Sequence, residues 1–122
     1  MIIKSYSEKM VLAFFGSHGL PEPEFEYRFD PIRKWRFDIA WPFNKNLTRS
    51  YKGLGGYYGL LAIEVQGGLF VHGRHNQGAA LVKEHEKLNR AACLGWRVLY
   101  VQPRDLYTAG TALMVKECFG WL

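Results

Sequence analysis

The stretch Leu60–Gly68, LLAIEVQGG, places a glutamate and a glutamine inside an apolar run and then ends on two glycines. Alternate residues of a strand share a face. Leu61, Ile63 and Val65 therefore fall on one side, and Ala62, Glu64 and Gln66 on the other. A carboxylate buried on such a strand is costly unless it is paired or binds a metal. The segment is then either an edge strand with a tolerated charge or half of a site. Gly67 and Gly68 allow another backbone to approach closely.

A chain of 122 residues with 48% apolar and 16% aromatic side chains is expected to form one domain, spanning 1–122, with a real core. Its two cysteines, Cys93 and Cys118, form no CxxC pair and read as buried, reduced thiols of a cytosolic protein. The apolar run MVLAFFG near the N-terminus is too short to span a bilayer and precedes no small-residue cleavage site. Secretion and membrane insertion are therefore not expected.

The formal charge of +5 favours polyanionic partners, nucleic acid above all. Its placement says more than its size. Arg28, Arg33, Lys34 and Arg36 crowd one segment, and Lys45, Arg49 and Lys52 follow in a polar loop. Tyr27, Phe29, Trp35, Phe37, Trp41 and Tyr51 are interleaved among them. This mixture suits a surface that touches phosphates and stacks on bases. It equally suits a solvated basic hairpin whose aromatic row faces the core.

Element signals follow in order. Ser7 caps a helix running to about Ser17, ended by Gly19 and the prolines of LPEP. EFEYRF and KWRFDIAW alternate as strands around the turn DPIR, with Trp35, Phe37 and Ile39 expected on one face and Arg36 and Asp38 on the other. The loop 44–56 carries no clear pattern. LLAIEVQGG is the next strand, and LFVHGRHNQG a short strand or turn. A helix from about Ala79 to Leu94 would pack Leu81, His85, Leu88 and Ala92. WRVLYV is a buried strand, and a helix beginning near Arg104, interrupted at Gly110, closes the chain. The expected architecture is a compact α/β sandwich.

If the second and third strands are neighbours, Asp38 and Glu64 reach the same face at the same rim. Mg²⁺ takes oxygen ligands, commonly one or two carboxylates, and a metal so held activates water and neutralises charge on a phosphodiester. Gln66, beside Glu64, is placed to orient the attacking water.

Asp38 followed by Glu64-Val65-Gln66 resembles the D…ExK core of the PD-(D/E)XK nuclease superfamily. The segments EYRFDPIRKWRFDIAWP, AIEVQGG, GRHNQG and EHEKLNRAACLGWRVLYV occur in the order seen in small phage-type nucleases of the VRR-NUC and very-short-patch-repair-like branches. The resemblance covers roughly residues 23–101. It implies a restriction-endonuclease-like sandwich, with a central mixed β-sheet flanked by helices. It further implies that Asp38 and Glu64 bind Mg²⁺ or Mn²⁺, with the Val65 carbonyl as a third ligand. Glu26 matches a glutamate that completes such sites; its other reading is an exposed hairpin charge. Gln66 departs from the usual lysine and cannot supply positive charge. Lys87 is the candidate replacement, with Arg74; its other reading is a helix-surface partner of Glu84, three residues away.

His72, His75 and His85 fit no zinc spacing. His75 and Arg74 are instead candidates to contact phosphate, and His85 to pack in the core. The expected activity is that of a Mg²⁺- or Mn²⁺-dependent endodeoxyribonuclease, with Asp38, Glu64, Gln66 and Lys87 catalytic and Arg33, Lys34, Arg36, Arg74 and His75 binding DNA. So small a chain would select DNA by shape, such as a branched junction, flap or mismatch, and a homodimer would supply paired active sites. Its setting would be the cytoplasm of a bacterial or phage-infected cell. The alternative is a non-catalytic nucleic-acid-binding module, a nuclease fold whose site has decayed.

Overall fold

A computed structural model describes residues 6–42, 60–66 and 77–120. The first helix, α1 (Glu8–Ser17), begins where Ser7 Oγ accepts the Met10 N–H at 3.3 Å. It ends at Gly19, whose φ of +76° lets the Gly19 and Leu20 N–H groups fold back on the last turn. Strands β1 (Glu24–Arg28) and β2 (Arg36–Trp41) form an antiparallel hairpin. Strand β3 (Leu61–Val65) pairs antiparallel with β2. Helix α2 (Gln77–Cys93) then leads to β4 (Arg97–Val101), parallel to β3. The sheet order is β1-β2-β3-β4. A 3₁₀ turn at Pro103–Asp105 precedes α3 (Ala109–Cys118).

The expected mixed sheet and flanking helices are present, and among the described residues the element order is the one read from sequence; most of LFVHGRHNQG lies outside them. The last helix differs at its start. Thr108 caps it by accepting the Thr111 N–H, so Gly110 lies inside the first turn and interrupts nothing. Among the described residues, no helix is long and apolar enough to cross a membrane.

Each face of the sheet carries its own core. Val11 and Phe15 of α1 and Ala112 and Val115 of α3 pack with Ile39, Trp41, Leu61 and Ile63 on one side. On the other, Ala91 of α2 meets Ala40, Ala62, Phe29, Phe37 and Trp96. The alternation expected for β3 holds, with Leu61, Ile63 and Val65 on the α1/α3 side and Ala62 opposite.

The alternation expected for β2 does not hold. Trp35 and Phe37 belong to the α2-side core, whereas Ile39, two residues on, belongs to the other. The partner strand turns over at the same level, Tyr27 packing on the α2 side and Phe25 on the other. Between them Glu26 has φ +49°, in the left-handed region. The register is the same on either side (Phe25 with Ile39, Tyr27 with Phe37), so the change of face involves no inserted residue. Asp38 lies at the crossover.

Helix α2 also differs from its expected stripe. His85 and Ala92 are exposed, while Lys87 and Leu94 are half-buried and Ala91 fully buried. The true inward face is turned by about one residue. Apolar spacing misses it because two of its inner positions, 84 and 87, carry charges. Cys93 is exposed and Cys118 half-buried, both as free thiols, so the expectation of buried cysteines fails for Cys93.

A candidate carboxylate–lysine site

The β2–β3 ladder runs from Trp41 with Leu61 to Ile39 with Ile63. One residue further along, side chains take over from backbone. The Asp38 N–H donates to Glu64 Oε1 at 3.1 Å, and the Val65 N–H donates to Asp38 Oδ2 at 2.8 Å. Each strand thus lends its carboxylate to the other strand's amide. The crossover at residues 26 and 38 disrupts the regular pairing, and these two bonds satisfy amides the ladder no longer serves. The opposed pair expected from sequence is therefore present, Asp38 half-buried and Glu64 only 6% exposed.

Lys87 reaches this pair from α2. Its Nζ lies 2.9 Å from Glu64 Oε2 and 5.5 Å from the centre of the Phe37 ring. The ring is there because β2 has changed face beside it. Lys87 thus pairs with Glu64 rather than with Glu84. Glu84 Oε2 instead accepts the Tyr100 hydroxyl at 3.4 Å.

Burial pushes the Glu64 carboxyl up to about 7, with Asp38 adding to the rise and Lys87 opposing it. Tyr100 stands opposite Glu64 in the parallel β3–β4 register. Burial, then Glu84 and Glu64, hold its hydroxyl protonated far above the usual range. On the other side Tyr6 donates to the Asp38 backbone carbonyl at 3.1 Å, and it too is pushed up by burial and the carboxylates of Asp38 and Glu26.

Tyr6 and Tyr100 carry no signal in the sequence that marks them as site residues, and Glu84, named there only as a partner of Lys87, meets Tyr100 instead. Tyr100 becomes visible only once β4 is set beside β3. Tyr6 sits beyond the helix cap with nothing local to connect it to Asp38.

The remaining candidates are dispersed. Gln66 donates its N–H to the Val101 carbonyl at 2.9 Å, so the ladder continues through it and period two returns its side chain to the Glu64 side. Val65 pairs with Val101. Glu26 is exposed on β1. Among the described residues, no three His, Cys, Asp or Glu side chains form a group able to hold a metal ion. Arg33, Lys34 and Arg36 are exposed at the β1–β2 hairpin. Arg74, His75, His72, Gly67, Gly68, Tyr51 and the loop 44–56 lie outside the described residues.

The aromatic row is mostly core. Phe29 and Phe37 stack at 4.0 Å and are buried with Trp41, while Tyr27 and Trp35 stay half-buried. Of the two readings of that row, core packing takes the first three, and Trp35 and Tyr27 keep accessible surface.

The two carboxylates on neighbouring strands offer oxygen atoms, the ligand type a hard cation takes, and both Glu64 oxygens already accept from protein donors. An ammonium and a phenol stand beside them. Compared with models of protein families, with curated proteins and with solved structures, the chain matches none.

Proposed function

We propose that this chain is a metal-dependent DNA endonuclease of the PD-(D/E)XK type, with its site at Asp38, Glu64 and Lys87. The observation that carries the reading is the convergence of two carboxylates and one ammonium at one rim of a mixed sheet. Asp38 and Glu64 are the residues to hold Mg²⁺ or Mn²⁺, with the Val65 carbonyl beside them. Such an ion, when bound, activates water and neutralises charge on a phosphodiester.

Lys87 supplies the positive charge that Gln66 lacks, from a helix rather than from the strand. Its ammonium, 2.9 Å from Glu64 Oε2, would face the phosphate oxygens as charge develops there. Gln66 orients the water through its amide. The hydroxyl of Tyr100, protonated at neutral pH, donates a hydrogen bond at the same rim. The substrate is DNA selected by shape, with two copies of the chain acting together on a branched junction.

One observation favours a second reading. Both oxygens of Glu64 already have protein donors, the Asp38 amide and Lys87. A carboxylate so occupied is also what a strand clasp needs in a binding module that has lost catalysis. Labelled four-way junction, flap, mismatch and plain duplex DNA incubated with Mg²⁺, Mn²⁺ or EDTA separate the two. The nuclease reading expects metal-dependent cutting that Asp38→Ala abolishes. Binding without cutting in either metal, unchanged in the variant, supports the module instead.

A further inference from the structure

A second groove lies between the β1–β2 turn and α2, one helical turn beyond Lys87. Its volume is about 560 Å³; Ile32, Arg33, Trp35, Asn89 and Arg90 line it with Glu86, a carboxylate that the two arginines outnumber. Its wall is firmly built. The Asp30 side chain is fully buried and accepts the Ile32 N–H at 2.8 Å, the Arg33 N–H at 2.9 Å and Arg90 Nε at 2.9 Å. These bonds, the Arg33 amide first, hold its carboxyl below the usual range. Arg28 ties the same turn from outside, donating to the carbonyls of Asp30, Ile32 and Arg33. A seven-residue turn held at this many points is preorganised, which lowers the cost of ordering it on a ligand.

The surfaces it presents are specific in kind. The Arg33 guanidinium lies 4.8 Å over the Trp35 ring, so a flat cationic plane backed by an indole faces the groove. Arg90 is 39% exposed, with Nε committed to Asp30. Among the described residues no acceptor takes its terminal nitrogens. Asn89 offers one amide donor and one acceptor edge. Ile32, 78% exposed, adds an apolar edge. Flat cation, a guanidinium anchored through Nε alone, amide and apolar edge together match a nucleobase attached to its phosphate. An acidic peptide would use the charges and leave the plane and apolar edge unmet.

We propose that this groove binds one unpaired nucleotide of the strand whose phosphate lies at Glu64 and Lys87. The inference deepens the nucleic-acid reading above and rests on it. Arg90 follows Lys87 by three residues, a rise of roughly 4.5 Å along the same helix face, so one strand can touch both. A stacking plane needs a base with a bare face, which a paired base inside a duplex does not offer. The groove therefore selects strands that are already open, as at a junction or flap.

The test is binding in EDTA, where cleavage plays no part. The ¹⁵N-labelled protein is titrated with a short oligothymidylate, with the same strand annealed to its complement, and with an oligoglutamate peptide. The signals followed are the Trp35 indole N–H, assigned with Trp35→Phe, and Arg90 Nε–H. The single strand is expected to shift both. Arg33→Ala, which keeps the backbone N–H that Asp30 accepts, and Asn89→Ala are expected to weaken it roughly tenfold and several-fold respectively. Equal shifts with the duplex, or with the peptide, overturn the proposal. Unmoved signals in a protein that still cuts branched DNA overturn the groove and leave the nuclease standing. Shifts in a protein that cuts no DNA support the groove and overturn the nuclease.

Discussion

Glu64 is the most deeply buried charged side chain of the candidate site, 6% exposed. Its carboxyl is pushed from 4.5 to about 7 by burial first. The fold disfavours the ionised form, so below 4.5, where both folded and unfolded chains are protonated, nothing is lost. As pH rises from there through about 7 the folded state loses stability, by about 3 kcal/mol in all. Thermal unfolding of the metal-free protein between pH 4.5 and 8 should show this decline, and Glu64→Gln should remove that slope. A slope unchanged in the variant would assign it to another group. Lys87 acts on the same carboxyl in the opposite sense. Lys87→Met therefore raises the Glu64 value of the metal-free protein further and carries the decline in stability to higher pH. If the chain cuts DNA as proposed, the cleavage rate of this variant should fall by roughly 10²–10³-fold, the usual cost of losing one group that stabilises transition-state charge.

At the scale of elements, the β1–β2 hairpin is where local pattern and tertiary structure part. Its strands, turn and pairing could be read from EFEYRF, DPIR and KWRFDIAW, since aromatic alternation and a proline turn are local signals. The change of face between Phe37 and Ile39 could not, and it coincides with Glu26 at φ +49° on the paired strand. Glutamate gives no sign of this, whereas glycine or asparagine would have. A left-handed non-glycine residue costs about 1–2 kcal/mol. Glu26→Gly should thus leave the unfolding free energy unchanged or raise it by up to about 1 kcal/mol, after glycine's own entropy cost. Cleavage should be largely retained if Asp38 and Glu64 suffice for the metal, and lost if the Glu26 carboxylate is a ligand. Denaturant unfolding with the junction-cutting assay reads both. Helix α2 teaches the converse. Its existence was legible and its inner face was not, because Glu84 and Lys87 are turned towards the sheet, where they meet Tyr100 and Glu64.

At the scale of the whole molecule, the two cores are unequal in character, and that inequality makes room for the site. The α1/α3 side is filled with large side chains, Phe15, Trp41, Ile63 and Phe119 among them. The α2 side uses Ala40, Ala62 and Ala91 where helix and sheet face each other, so the helix can come close. That approach brings Lys87 within reach of Glu64 and sets Arg90 against Asp30. The opposition of Asp38 to Glu64 was foreseeable, given that their strands are neighbours and each lies near a strand end. The two tyrosines that flank them were not, since Tyr6 and Tyr100 reach the rim from opposite ends of the chain.

By itself the sequence determined the class of fold, the order of its elements, the faces of β3 and the two carboxylates worth watching. Each of these rests on short-range signals, namely strand and helix periodicity, caps, turns and a charge out of place in an apolar run. The tertiary structure alone decided which face Phe37 takes, which carboxylate Lys87 meets and which aromatic rings stay open to a ligand. Those outcomes depend on contacts between residues far apart in the chain, such as the 23 positions from Glu64 to Lys87 and the 60 from Asp30 to Arg90. No local propensity encodes such separations; only the packing of α2 on the sheet sets them.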